Sequence, residues 1–221
     1  MKLAISALTK FVIGLLLVAA LVFLPAGTMN FVGGWLFLTV LFVPIFVLGM
    51  VLLIKFPDLL KKRLDSKEKQ STQKGVVALS GLMFLGGFVL AGLDFRFGWS
   101  SVPLWVTITA TILFVVSYLL YAEVMRENAY LSRTIKVEEN QKVVSTGLYG
   151  IVRHPMYSVT ILMFLMIPLI LGSWYALIVF AIYPILMAIR AIDEEKLLIK
   201  ELDGYIEYKQ KVKYRLIPFV W

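Results

Sequence analysis

The chain has 221 residues, of which 60% are hydrophobic and only 16% charged, with a mean hydropathy of +0.87. That balance excludes an ordinary soluble domain and describes an integral membrane protein, with one membrane domain and no room for a sizeable soluble one. The absence of cysteine removes disulfides, thiolate metal sites and cysteine nucleophiles together, and a single histidine, His154, makes a transition-metal catalyst improbable.

Charge-free runs locate the spans. Lys10 and Lys55 bracket a run without charge, interrupted near its middle by Pro25-Ala26-Gly27-Thr28-Met29-Asn30. Two helices joined by a short loop follow from this pattern. The runs Gly75 to Leu93 and Phe97 to Ala122 are each long enough for a hydrocarbon core of about 30 Å at about 1.5 Å per residue. They supply spans three and four. The last apolar run, Met156 to Ile189, would form a helix of about 50 Å if unbroken, too long for one crossing. Pro168 and Gly172-Ser173 predict a hairpin with arms of about 16 residues, crossing a thin region or re-entering the bilayer. The expectation is therefore an all-α polytopic bundle of four spans plus a C-terminal hairpin, about six membrane segments, with a cytoplasmic amphipathic C-terminal helix. Residues 1–122 would be N-terminal spans and 123–221 the functional core of the same domain.

Basic residues orient this layout. All 22 lysines and arginines except Arg96 fall on one side of it. By the positive-inside rule both termini should be cytoplasmic. The apolar N-terminal stretch, with Lys2 and Lys10, resembles a signal peptide. The second span follows without a polar mature region, which favours an uncleaved helix. The net charge of +8 is then mostly topology. No polar domain presents a basic face to nucleic acid. Lys61-Lys62-Arg63, with Lys67 and Lys69, fits against anionic membrane lipids or forms a solvated loop.

Two polar clusters stand at the mouths of apolar segments, where such residues are costly and mark function by default. The first is Ser145 to Tyr157, and the second is Arg190 with Glu194-Glu195. Both fall on the cytoplasmic side, where soluble cofactors are. Pro155 suits the first position of a helix, with His154 at its cap and Tyr157 in its first turn. Gly147 and Gly150, flanking Tyr149, allow backbone to approach a ligand closely. Arg190 and Glu194, four apart, share one helix face and could hold complementary ends of a zwitterion, or a carboxylate and an ammonium on two ligands. Spacing alone favours an interfacial helix braced by intrahelical ion pairs.

The order and spacing of several motifs reverse that preference. Gly147-Leu148-Tyr149, Arg153-His154-Pro155-Met156-Tyr157, Arg190 with Glu194-Glu195, Tyr205-Ile206-Glu207-Tyr208-Lys209 and Tyr214-Arg215-Leu216-Ile217-Pro218 resemble the isoprenylcysteine carboxyl methyltransferase family and its phospholipid methyltransferase relatives. The resemblance runs from roughly Thr134 to Trp221. It implies an integral membrane methyltransferase that binds S-adenosylmethionine in a cytoplasm-facing pocket and methylates a lipophilic acceptor arriving from the bilayer, without metal. By motif, cofactor contacts fall on Gln141, Lys142, Val143, Val144, Tyr149, His154, Pro155, Met156, Tyr157 and Glu194. Arg190 falls on the substrate side, and Arg190 and Glu194 form the catalytic pair. The chain departs from the eukaryotic prenylcysteine enzymes, which have more spans, and lacks the Gly-x-Gly helix motif of phosphatidylethanolamine methyltransferases.

A carboxylate acceptor would need no general base and would pair with Arg190, whereas an amine or thiol would need help from Glu194, Glu195, His154 or a tyrosine to lose a proton. The carboxylate is favoured. An NADPH-dependent membrane reductase of the sterol reductase type is the alternative, distinguished by its cofactor. A carrier would show internal repeats or charges at the bilayer midplane, and the sequence has neither.

Overall fold

A computed structural model describes residues 2–64, 71–131, 137 and 139–221. Lys67, Lys69, Arg133, Thr134 and Lys136 lie outside the described residues. The described residues contain helices and turns but no strand. In chain order the helices are α1 (Lys2–Ala26), α2 (Val32–Lys55), α3 (Pro57–Leu64), α4 (Ser71–Phe97), α5 (Leu104–Glu127), α6 (Pro155–Ile170), α7 (Trp174–Phe180), α8 (Tyr183–Glu201) and α9 (Tyr205–Lys211).

Lys2–Ala26, Val32–Lys55, Gln73–Phe97, Leu104–Glu127 and the combined Trp174–Glu201 stretch are long and apolar enough to cross a membrane. Pro155–Ile170, at 16 residues, rises only about 24 Å and falls short of a bilayer core. The expected hairpin is present. It turns at Leu171-Gly172-Ser173, where Gly172 adopts φ +80° and Ser173 caps α7 by accepting a hydrogen bond from Ala176 N at 3.0 Å. The second arm is longer than the charge-free run. It breaks at Ala181-Ile182, before Pro184, and then carries its helix through Arg190 and Glu194 to Glu201. Two further differences are local: Phe97 closes α4 rather than opening the fourth span, which begins after Pro103, and the basic segment after Lys55 folds as α3.

Side chains are distributed as lipid requires. Leu16, Leu24, Leu82, Trp105 and Leu119 are exposed on the outer surface, while Gln73, Asp94, Ser117, Arg190 and Glu195 are buried inside. The main apolar cluster joins Val22, Phe37, Phe88, Phe114, Ile167, Phe180 and Leu186 from α1, α2, α4, α5, α6, α7 and α8. Close helix approach uses small residues. A Cβ on Gly92 of α4 would lie 2.6 Å from the Val22 carbonyl of α1, and one on Gly87 would lie 2.4 Å from the Phe180 ring of α7.

One end of the bundle is pinned by Asp94. Its carboxylate accepts from Ser100 N at 2.7 Å and Ser100 Oγ at 2.6 Å, and from Ser173 Oγ at the hairpin tip. The opposite end carries α3, the 139–154 segment, the C-terminal half of α8 and α9, and it is there that the charged residues gather.

The α1–α4 contact yields a stability test. Gly92→Leu should separate the two helices and destabilise the detergent-solubilised protein by about 1–3 kcal/mol, the usual cost of overpacking. Thermal unfolding should show a lowered Tm for Gly92→Leu, against an unchanged Tm for Gly81→Leu, where an added Cβ meets nothing within 4 Å.

Candidate functional site

The site forms because the start of α6 and the end of α8 meet under the C-terminal segment. His154 caps α6 and Pro155 takes its first turn, as the sequence predicts. The backbone just before is held by the chain's far end: Arg153 N donates to the Tyr214 carbonyl at 2.9 Å and His154 N to the Arg215 carbonyl at 3.0 Å. Ser158 Oγ donates to the Leu216 carbonyl at 2.5 Å. The segment 212–217 is therefore strapped across the mouth of α6.

Two adjacent carboxylates on α8 then face different ways. Glu195 is 2% exposed and is surrounded by cations. Arg153 Nε lies 2.7 Å from its Oε1, Arg215 Nη2 3.0 Å and Lys209 Nζ 3.7 Å from its Oε2. Arg153 also donates through Nη1 to the carbonyls of Val212 and Lys213 at 2.8 and 2.7 Å. This clasp ties α6, α8 and the C-terminal strap together. Glu194 instead lines a cavity.

His154 spans the pair. Its Nε2 lies 3.3 Å from Glu195 Oε1 and its Nδ1 3.4 Å from Glu194 Oε2, with its ring parallel to that of Tyr157 at a centroid separation of 5.5 Å. Burial pushes the imidazole toward neutrality, but the two carboxylates outweigh it and the net direction is upward from the ordinary value near 6.5. A doubly protonated ring is what two carboxylate neighbours, one on each nitrogen, call for.

Tyr157 carries the geometry one step further. Its hydroxyl donates to Glu194 Oε2 at 2.7 Å and accepts from Arg190 Nε at 3.0 Å, and the Arg190 guanidinium lies 5.8 Å from its ring centroid. Arg190 thus reaches Glu194 through a tyrosine hydroxyl, a link that the four-residue spacing does not reveal. Arg190, one helical turn or about 6 Å further into the bundle, borders the apolar core near Tyr183, whose hydroxyl donates to Thr160 Oγ1 at 3.3 Å.

The cavity wall includes Gln141, Lys142, Val143, Val144, Tyr149, His154, Met156, Tyr157, Arg190 and Glu194. Every residue expected at the site except Pro155 is among them. Pro155 is buried behind the wall, where it starts α6. The sequence assigns no role to Asn128, Tyr205 and Tyr208, which also line the cavity. Their signal was present, since both tyrosines belong to a quoted motif and Asn128 ends α5. Tyr208 donates to the Tyr149 carbonyl at 2.7 Å and Asn128 donates to the Tyr149 hydroxyl at 3.0 Å. Gly147 has a different neighbour from the expected ligand. Its φ is +51°, and a Cβ there would collide with the Glu127 carboxylate, whose Oε2 accepts from Leu148 N at 3.0 Å.

A cavity lined by charged residues thus lies at the ends of helices long and apolar enough to cross a membrane. Residues 105–203, from the first turn of α5 to just beyond α8, match the family model described as phospholipid methyltransferase. The match covers somewhat less than half of the chain and is consistent with the phospholipid and isoprenylcysteine methyltransferase-like family that the motifs resemble. No curated protein matches it.

The charge state of His154 gives a pH test. Because its folded-state pKa lies above the unfolded value, its stabilisation is complete below about pH 6.5 and is lost as pH rises through the folded-state pKa. Thermal unfolding of wild type and His154→Gln should therefore differ most near pH 6 and converge on raising the pH. A constant difference across the range would show that protonation of His154 plays no part.

Proposed function

We propose that this protein is an S-adenosylmethionine-dependent methyltransferase, resembling the isoprenylcysteine carboxyl enzymes, that methylates a lipophilic acceptor, preferably a carboxylate, at the cytoplasmic membrane face. The observation that carries this reading is the ordered pair on α8: Glu194 toward the cavity mouth and Arg190 one turn deeper beside the apolar core, joined by the Tyr157 hydroxyl. A water-soluble cofactor meets the first and a bilayer-borne anion the second. The family match favours methyl transfer over the reductase alternative.

The donors present suit S-adenosylmethionine. Glu194 offers a carboxylate for an ammonium, and Tyr149, Tyr205 and Tyr208 offer aromatic edges and faces for a purine. The cavity volume is about 100 Å³, less than the ~300 Å³ at the low end for sites that engulf ligands of this size. It therefore takes one end of the cofactor. When bound, S-adenosylmethionine supplies an electrophilic methyl group on a sulfonium, open to in-line displacement by a nucleophile.

The chain's own contribution is position and dryness. Arg190 grips the acceptor's carboxylate with its planar fork and points one oxygen toward the cofactor. Tyr157 and His154 fix Glu194, so that the cofactor's amino-acid end is held while the sulfonium faces Arg190. A carboxylate acceptor has no proton to lose, and no residue of the site is required as a base. Residues 123–221 supply this machinery on the scaffold of the preceding spans.

Separate roles predict separate losses. Glu194→Gln should raise the Kd for S-adenosylmethionine about ten- to a hundredfold, the worth of a charge-assisted hydrogen bond. Arg190→Lys should leave that Kd nearly unchanged and raise the KM for a prenylated carboxylate acceptor, because lysine keeps the charge but loses the fork. Tyr157→Phe, which cuts the link between them, should move both constants. Parallel losses in the Glu194 and Arg190 variants would remove the division of roles.

The partition of basic residues supports cytoplasmic termini and a cytoplasmic active site. Reporter fusions after Arg96 and at Trp221 should report opposite compartments, and the same compartment for both would rule this orientation out.

A further inference from the structure

Tyr205 opens α9 directly after Gly204, whose φ of +81° turns the chain out of α8. Its side chain is 3% exposed and packs with Leu202, Tyr208, Val212 and Val143. Its hydroxyl is buried, and it has no hydrogen-bond partner among the described residues. The other two tyrosines of the wall differ: the Tyr208 hydroxyl is bonded to the Tyr149 carbonyl, and the Tyr149 hydroxyl to Asn128. Tyr205 lines the same cavity as Glu194. A buried polar group left without a partner is costly, and on a residue that lines a cavity it is accounted for by a ligand that supplies the partner. Burial, together with the Glu195 and Glu194 carboxylates, holds this hydroxyl firmly protonated. It can therefore donate.

We propose that the Tyr205 hydroxyl is a cofactor contact that donates a hydrogen bond to the carboxylate of the cofactor's amino-acid end, beside the ammonium held by Glu194. The inference rests on the S-adenosylmethionine reading and deepens it. Glu194 alone would accept any cation of suitable size. With Tyr205 the site reads both charges of a zwitterion, and it distinguishes an amino acid from a simple amine. The residue lies beyond the segment 105–203 that matches the family model, so α9 becomes part of the binding site rather than a cover over it.

The test uses the full-length protein in detergent and two probes, S-adenosylhomocysteine and its decarboxylated analogue, which keeps the ammonium, thioether and adenosine. Tyr205→Phe should weaken S-adenosylhomocysteine about tenfold, as expected for a hydrogen bond to a charged group, and leave the decarboxylated analogue unchanged. The ligand-free variant should keep or raise the wild-type Tm, since the hydroxyl it loses is bonded to nothing among the described residues. Equal losses for both probes, no loss for either, or a lowered ligand-free Tm would overturn the assignment. Failure of wild type to bind S-adenosylhomocysteine at all would instead overturn the cofactor reading on which it rests.

Discussion

The buried carboxylate of Glu195 is the constraint on which the rest of the site depends. A lone ionised carboxylate at the end of a membrane bundle would be prohibitively costly, so its surroundings must supply charge. Arg153 and Arg215 do so within 3.0 Å, and each brings a piece of backbone with it. Arg153 fixes the entry to α6, and Arg215 fixes the strap that accepts the backbone hydrogen bonds of Arg153 and His154. Removal of one partner from such an arrangement typically costs about 3–5 kcal/mol, because the remaining charges stay buried and unpaired. The clasp therefore locks the positions of residues far apart in sequence, and the neighbouring Glu194 inherits a defined place at the cavity.

His154 converts that structural clasp into a feature of the pocket. It touches both carboxylates, so the charge on Glu195 and the orientation of Glu194 are coupled through one imidazole. Tyr157 extends the coupling to Arg190. A polar chain then runs from the strap, past Glu194 at the cavity, to the edge of the apolar core. The proposed reaction between a soluble methyl donor and a bilayer-borne acceptor is assigned to this one turn of α8.

Much of this was legible in the sequence, for identifiable reasons. Helices that face lipid must be apolar all round, so charge-free runs mark α1, α2, α4 and α5 with errors only at the ends. Proline and glycine act locally, so Pro155 and Gly172 mark the start of α6 and the hairpin tip as read. Other features depend on partners distant in the chain. Glu195 reads as a twin of Glu194 until folding brings Arg153, 42 residues away, to one and leaves the other at the cavity. Gly147 signals close approach, but only the fold shows that Glu127 is what approaches. The end of the last helix, Arg190 to Glu201, is polar, so hydropathy says nothing of where it stops. The α3 helix was masked in the same way by its three consecutive cations.

The most direct measurement is a calorimetric titration of the purified, detergent-solubilised protein with S-adenosylmethionine and, separately, with NADPH. A site built from Glu194, Tyr157, His154 and the Gln141 to Val144 wall should bind S-adenosylmethionine at one molecule per chain and show no saturable heat with NADPH. Saturable binding of NADPH with none of S-adenosylmethionine would contradict the methyltransferase reading and return the protein to the reductases.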